Sequence, residues 1–150
     1  MVAIDKATDA DIVGILEVVR LAFAREARRL DNWRIAPLME TAEELARKFP
    51  GMTLLVARED GKIVGTGRCT RSGSDAFVGR LAVHPDHQRK GIASAIVKAL
   101  ETANPDAARF EIFTSEKSAD NIALYAKLGY REFKRVTGDQ GVMVFMEKRK

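Results

Sequence analysis

The stretch from Phe77 to Ala103, FVGRLAVHPDHQRKGIASAIVKALETA, constrains the fold more than any other part of the chain. Phe77-Val78-Gly79-Arg80-Leu81-Ala82-Val83 has the β-branched and aromatic content of a strand, alternating in part with polar residues. His84-Pro85 ends it, because proline offers no N–H to a sheet and restricts the residue before it. A basic loop, Gln88-Arg89-Lys90, then leads through Gly91 into a helical pattern. Ile92, Ala95, Ile96, Ala99, Leu100 and Ala103 share one face of that helix, with Lys98 and Glu101 on the other.

Chemistry belongs at the junction of loop and helix. The first N–H groups of a helix lack intrahelical partners, and the helix start carries partial positive charge. Such an end binds phosphate when nothing bulky holds the phosphate off the backbone. Gly91 and Ala93 keep that approach clear, and Arg89 and Lys90 set positive charge beside it. From these residues alone, an ordinary strand–loop–helix connection with a solvated basic turn fits as well. The chain contains neither the GxxxxGKS/T of a Walker loop nor a dinucleotide GxGxxG.

The flanking sequence supplies the remaining elements. Val2 to Ala7 reads as a strand, and Thr8-Asp9-Ala10-Asp11 opens a helix whose stripe is Ile12, Leu16, Val19, Phe23 and Ala27. Residues 31–40 read as an irregular link, followed by a capping box, Thr41-Ala42-Glu43-Glu44, for a short helix stopped by Pro50-Gly51. Thr53 to Arg58 and Ile63 to Thr70 form a hairpin around Asp60-Gly61. After the central helix come a strand from Arg109 to Thr114 and a helix from Ala119 to Leu128, stopped by Gly129. Tyr130 to Val136 and Val142 to Glu147 close the chain around Gly138-Asp139-Gln140-Gly141.

This order is α/β, with a mixed, mostly antiparallel sheet of about seven strands flanked by helices. The fourth and fifth strands, separated by the central helix, are expected to be parallel with a right-handed crossover. Residues 1–150 contain no repeat or linker, so one domain is expected.

Composition narrows the function classes. Hydrophobic residues at 46% and charged residues at 31% describe a globular chain, not a disordered one. No apolar run approaches the roughly 18 residues of a membrane span. Met1-Val2-Ala3-Ile4-Asp5 lacks the features of a secretory signal. The one cysteine, Cys69, excludes an internal disulfide and suits a reducing compartment, so a cytoplasmic location is expected. A net charge of +4 suits a polyanionic cofactor as well as nucleic acid. The basic residues are dispersed and no nucleic-acid motif accompanies them, so nucleic acid is not an expected partner.

Gln88-Arg89-Lys90-Gly91-Ile92-Ala93 matches the Q/R-x-x-G-x-G/A signature of the GNAT superfamily of N-acetyltransferases. Leu81-Ala82-Val83-His84-Pro85 before it is also typical of that family, and the order of elements resembles it from end to end. The resemblance implies direct transfer of acetyl from acetyl-CoA to a primary amine of a small molecule or protein, without a covalent acyl-enzyme. It assigns Gln88, Arg89, Lys90, Gly91, Ile92, Ala93 and Ser94 to the coenzyme's pyrophosphate. It assigns Leu81, Ala82 and Val83 to backbone contacts with the pantetheine, which enters where the fourth and fifth strands of the twisted sheet splay apart. Members of the family often dimerise through their C-terminal strands, so a homodimer is an assembly the resemblance allows.

Asn121-Ile122-Ala123-Leu124-Tyr125-Ala126-Lys127-Leu128-Gly129-Tyr130 resembles the family helix that ends in LYxKLGF/Y. The likeness places the Tyr125 hydroxyl near the coenzyme sulfur, as the catalytic group. A thiol pKa of about 8.5 lies below that of tyrosine at about 10, so a neutral phenol can hydrogen-bond or protonate the departing sulfur. Taken alone, a tyrosine on an apolar helix face is a core residue. The family often places an asparagine seven residues before this tyrosine, where this chain has Ser118. Asn121, one helical turn before Tyr125 on the same face, is the alternative contact to the coenzyme, or else a cap or solvent-facing amide.

The proton acceptor is less defined. An alkylammonium, with a pKa of about 10.4, must lose a proton before it attacks. Some family members use a glutamate twelve residues before the tyrosine, and Phe113 occupies that position here. Glu111 on the same strand face, and Glu40, Glu43 and Glu44 near the short helix, are alternatives, but each reads better as a solvated surface carboxylate, so no base is established. Trp33 and Met39 suit either an acceptor pocket or a hydrophobic cluster under a loop. His84 and His87 have no third ligand set, so no metal site is expected, and Cys69 reads as a buried filler. Two rival functions stay open: a non-catalytic acyl-CoA-binding module of the same fold, and a basic domain whose nucleic-acid binding weakens with salt.

Overall fold

A computed structural model of the chain describes residues 2–139 and 141–150, so Gln140 of the expected closing turn lies outside the described residues, as does Met1. The first half comprises β1 (Ala3–Lys6), α1 (Ile12–Leu30), α2 (Ala36–Met39), α3 (Ala42–Lys48), β2 (Thr53–Glu59) and β3 (Lys62–Ser72). The second half comprises β4 (Asp75–Val83), α4 (Ile92–Thr102), β5 (Arg109–Ser115), α5 (Ala119–Lys127), β6 (Arg131–Gly138) and β7 (Gly141–Arg149). The seven strands form one sheet in the order β1-β2-β3-β4-β5-β7-β6, antiparallel throughout except for β4 with β5. The fold is the mixed α/β arrangement expected. The link at 31–40 is less irregular than its sequence suggests, because α2 sits within it. Pro37 is in the first turn of α2, where a missing N–H breaks no helical bond.

Local chemistry sets the helix boundaries. Glu44 N–H donates to Thr41 Oγ1 at 3.1 Å and Thr41 N–H donates to Glu44 Oε1 at 3.0 Å, which closes the expected capping box of α3. At the far end of α5, Gly129 takes a φ of 102°, the left-handed stop.

Alternation along β2 divides the interior into two cores. Leu55 and Ala57 join Ile92, Ile96, Val97 and Leu100 of α4 and Tyr125 of α5. Leu54 and Val56 point the other way, onto Ile15, Leu16 and Val19 of α1 and Leu45 of α3. So α1 and α4 lie on opposite faces of the sheet. The approach of α4 is close: a Cβ at Gly67 would stand 2.7 Å from Ile96 Cγ2.

Two irregularities prepare the site. The first is the expected splay: β4 and β5 pair only at Asp75↔Arg109, Ala76↔Phe110 and Phe77↔Glu111. Beyond these pairs the strands run on to Val83 and Ser115 with no ladder between them. The second is a bulge. The register between β3 and β4 passes from Thr66↔Ala82 to Arg68↔Gly79, leaving one extra residue on β4, and Arg80 takes a φ of 47°.

Glu40 is buried beneath the bulge. It receives Arg68 through Nη1 at 3.1 Å and Nη2 at 2.5 Å, Arg80 at 3.2 Å and Lys48 at 3.2 Å. Burial alone would raise the pKa of this carboxyl. The Arg68 fork and the charges of Arg68 and Arg80 outweigh that and bring it down to about 2.

Candidate functional site

The gap between β4 and β5 opens into a cavity of about 340 Å³. Leu81, Ala82 and Val83 of β4 form one wall, and Gln88, Arg89, Gly91, Ile92, Ala93 and Ser94 form the rim around the start of α4. Asp120, Asn121, Leu124 and Tyr125 contribute from α5. Ala22, Phe23, Arg25, Glu26 and Arg29 contribute from α1, with His87 beside the rim. Because α1 and α4 lie on opposite faces, the cavity passes through the sheet where its strands part.

The start of α4 suits an anion. Gly91 is the N-cap residue at φ 78°, and a Cβ there would meet no atom within 4 Å. The first intrahelical bond is from Ala95 N–H to Gly91 O at 3.1 Å, so the amides of Ile92, Ala93 and Ser94 precede it, and among the described residues no side chain caps them. Free donors at the start of a three-turn helix, with Arg89 on the rim, fit a pyrophosphate. His87 Nδ1 lies 3.0 Å from Glu59 Oε2, which ties the loop to the end of β2. Of the residues expected to hold the coenzyme, Lys90 alone is missing from the lining. Its ammonium is exposed, 3.5 Å from His87 Nδ1.

Tyr125 is buried and faces this cavity. Among the described residues no protein group hydrogen-bonds its hydroxyl. Burial, and then the negative charges of Asp120 and Glu26, push its pKa well above the usual tyrosine value, so the phenol keeps its proton. Asn121 lines the cavity and donates from Nδ2 to Thr114 Oγ1 at 3.3 Å. Ser118 does not line it: its wholly buried hydroxyl turns toward α1, donating to Glu26 Oε1 and accepting from Arg29 Nη1 at 2.9 Å.

The family model described as acetyltransferase (GNAT) domain matches residues 50–132. The chain belongs to that family. This GNAT domain is 28% identical over 133 residues to the UPF0157 protein YqkA of Bacillus subtilis (strain 168), across 87% of the chain and 37% of YqkA. It is 38% identical over 85 residues to mycothiol acetyltransferase of Kineococcus radiotolerans, across 54% of the chain and 27% of that protein. It therefore spans about a third of the length of these two relatives. Among solved structures, the PaiA N-acetyltransferase of Thermoplasma acidophilum in complex with coenzyme A superposes with a TM-score of 0.83. That match is 16% identical and covers 100% of this chain and 99% of the other, a likeness of fold.

The GNAT domain places the carboxylates considered as proton acceptors elsewhere. Glu111 pairs with Arg109 at 2.7 Å, beside the closed end of β4 and β5. Glu40 is held by its three cations, Glu44 belongs to its capping box and Glu43 faces solvent. None of the four lines the cavity. Phe113, at the position where some relatives carry glutamate, is exposed and stacks on Phe145 with ring centroids 5.1 Å apart. Trp33 and Met39 are exposed and off the cavity. The lining carboxylates are Glu26 and Asp120, which the sequence hides among the polar positions of two amphipathic helices. Among the described residues no group of three His, Cys, Asp or Glu could hold a metal ion, and no helix is long and apolar enough to cross a membrane.

Proposed function

We propose that this GNAT domain is an N-acetyltransferase that moves acetyl from acetyl-CoA directly to a primary amine. One observation carries the reading. A single cavity through the sheet joins the uncapped amides of α4 to the unpartnered hydroxyl of Tyr125. Membership of the family supports it, as does the fold shared with an enzyme crystallised with coenzyme A.

When bound, acetyl-CoA supplies an activated acetyl thioester. The amides of Ile92, Ala93 and Ser94, with Gln88 and Arg89, are assigned to its pyrophosphate, and Gly91 provides the left-handed turn that leaves them open. Lys90 adds charge at longer range. The backbone of Leu81, Ala82 and Val83, on the open side of β4, is assigned to the pantetheine amides, with Asn121 opposite. Tyr125, held protonated by its surroundings, donates to the sulfur as the thiolate departs. The acceptor is a small-molecule or protein amine. A homodimer joined through the C-terminal strands belongs to the same reading, and sedimentation of the purified chain tests it.

The decisive experiment follows thiol release from acetyl-CoA with spermidine, tyramine, glycinamide and a trialanine peptide, with Tyr125→Phe alongside. The expected result is release with at least one amine, lowered about 100-fold in the variant, with acetyl-CoA affinity by calorimetry unchanged. Tight binding without release would favour the acyl-CoA-binding module. No binding at all would remove the acetyltransferase reading.

A further inference from the structure

We propose that Glu26 takes the proton from the acceptor amine. The inference rests on the acetyltransferase reading above and deepens it at the side of the cavity away from the coenzyme loop.

Two carboxylates line the cavity, and they differ in how they are held. Asp120 has a side chain 60% exposed and a single loose ion pair, 3.7 Å from Arg25. Glu26 has a side chain 18% exposed and is built into a small network. Its Oε1 accepts from the buried Ser118 hydroxyl and from Arg29 Nη1 at 3.0 Å. Arg29 is fixed in turn by the Lys117 carbonyl at 3.0 Å and by Ser118 Oγ at 2.9 Å. All these bonds use Oε1. Among the described residues no group bonds Oε2. One oxygen anchors the carboxylate and the other is left for a ligand.

The position matches that division. Glu26 belongs to α1, which packs on the face of the sheet opposite α4, so it reaches the cavity from the side that the pyrophosphate loop does not occupy. An amine must approach the acetyl group from a direction the coenzyme leaves free. Tyr125 faces the same cavity, close enough for the Glu26 charge to act on its phenol.

In the step assigned to Glu26, an N–H bond of the ammonium breaks and its electron pair stays on nitrogen. The proton passes to Oε2, directly or through one water, and from there to solvent. The nitrogen then bonds to the acetyl carbon, the C–S bond breaks and the electron pair of that bond leaves with sulfur. The nitrogen loses a second proton and the thiolate gains one, so each turnover releases one net proton. Arg29 and Ser118 bond Glu26 directly, and the other titratable or charged groups facing it across the shared cavity lining are Arg25 of α1, Asp120 and Tyr125 of α5, and His87 and Arg89 of the loop.

The test compares wild type, Glu26→Gln and Glu26→Asp. Thiol release from acetyl-CoA is measured across pH with the four amines above and with water alone, and acetyl-CoA affinity by calorimetry. The groups facing Glu26 are common to all three proteins, so a difference in profile reports residue 26. Glu26→Gln is expected to lower kcat/KM for the amine about 100-fold near neutral pH and to move the fall in rate on the acid side up toward the amine's own pKa of about 10.4, at unchanged acetyl-CoA affinity. Glu26→Asp should restore part of the rate and the acid limb. Unchanged kcat/KM and pH profile in Glu26→Gln would overturn the role, as would a loss of acetyl-CoA affinity that accounts for the whole effect. If Glu26→Gln does not fold, Ser118→Ala answers the same question. Loss of a hydrogen bond to the carboxylate should move the acid limb to higher pH, and an unmoved limb overturns the role. A wild type that binds acetyl-CoA but releases no thiol with any acceptor removes the transfer reading and this role together, an outcome distinct from a null effect of Glu26→Gln.

Discussion

Arg80, on the bulge of β4, donates to Glu40 across 3.2 Å from a backbone held at φ 47°. A left-handed backbone costs a residue with a side chain roughly 1–2 kcal/mol, so it persists only where its surroundings fix it. Here the fixing group is a buried carboxylate that also takes the Arg68 fork, which pins the link between α1 and α3 to the sheet beside the gap.

Glu40→Gln leaves Arg68 and Arg80 facing an amide. Removing one partner from a buried ionic cluster costs about 3–5 kcal/mol, and a domain of this size should lose roughly 10 °C of Tm. Differential scanning calorimetry measures it; a Tm within a degree or so of wild type would mean that the cluster is not a significant source of stability.

The same carboxyl makes stability depend on acid. Its pKa in the folded chain, about 2, lies below the ordinary 4.5. A depressed carboxylate pKa gives stability that is complete above the unfolded value and is lost as pH falls through the folded value. The contribution of Glu40, on the order of 3 kcal/mol, should therefore be intact above pH 4.5 and fade between 4.5 and about 2. Urea unfolding of wild type and Glu40→Gln on both sides of pH 4.5 follows it. The gap between the two proteins should narrow in acid, and a constant gap contradicts the assignment.

Gly91→Ala meets no steric obstacle, since nothing lies within 4 Å of the new Cβ, but it must adopt φ 78°. About 1 kcal/mol of stability should be lost, and acetyl-CoA affinity should fall roughly tenfold as the first-turn amides shift. Gly51→Ala has equal space without a left-handed φ and serves as the control. Calorimetric titration of both variants distinguishes them, and equal affinities would show that the amides of α4 do not hold the ligand.

Cys69 should be silent in the native chain. Burial, opposed only in part by Arg71 and the Phe77 amide, pushes its thiol up to about 11, and the thiolate is the reactive form. A disulfide reagent should titrate one thiol per chain on unfolding and react slowly before it. Rapid labelling of the folded protein would contradict its burial.

What the sequence made legible was mostly local. The capping box at Thr41 and Glu44, the stop at Gly129 and the loop before α4 each lie within a few residues and are formed as expected. Relationships that cross the fold were not legible. Glu40 meets Arg68 and Arg80, 28 and 40 residues away, and no pattern in either segment announces the meeting. The extra residue at Arg80 emerges only when β4 is laid against β3. Phe23 fits the apolar stripe of α1, yet it and Glu26 reach the cavity, because the sheet parts beneath the C-terminal half of that helix.

The three pairs that join β4 to β5 leave the rest of those facing backbones without a ladder, inside a chain that is otherwise well paired. A guest that satisfies them is bound by the native chain and not by the denatured one. By mass action it stabilises the fold in proportion to the logarithm of its concentration, by about 2.7 kcal/mol at a hundredfold excess over Kd. The melting temperature of this protein is therefore a function of what occupies the parting in its sheet, and the bare chain gives its lower bound.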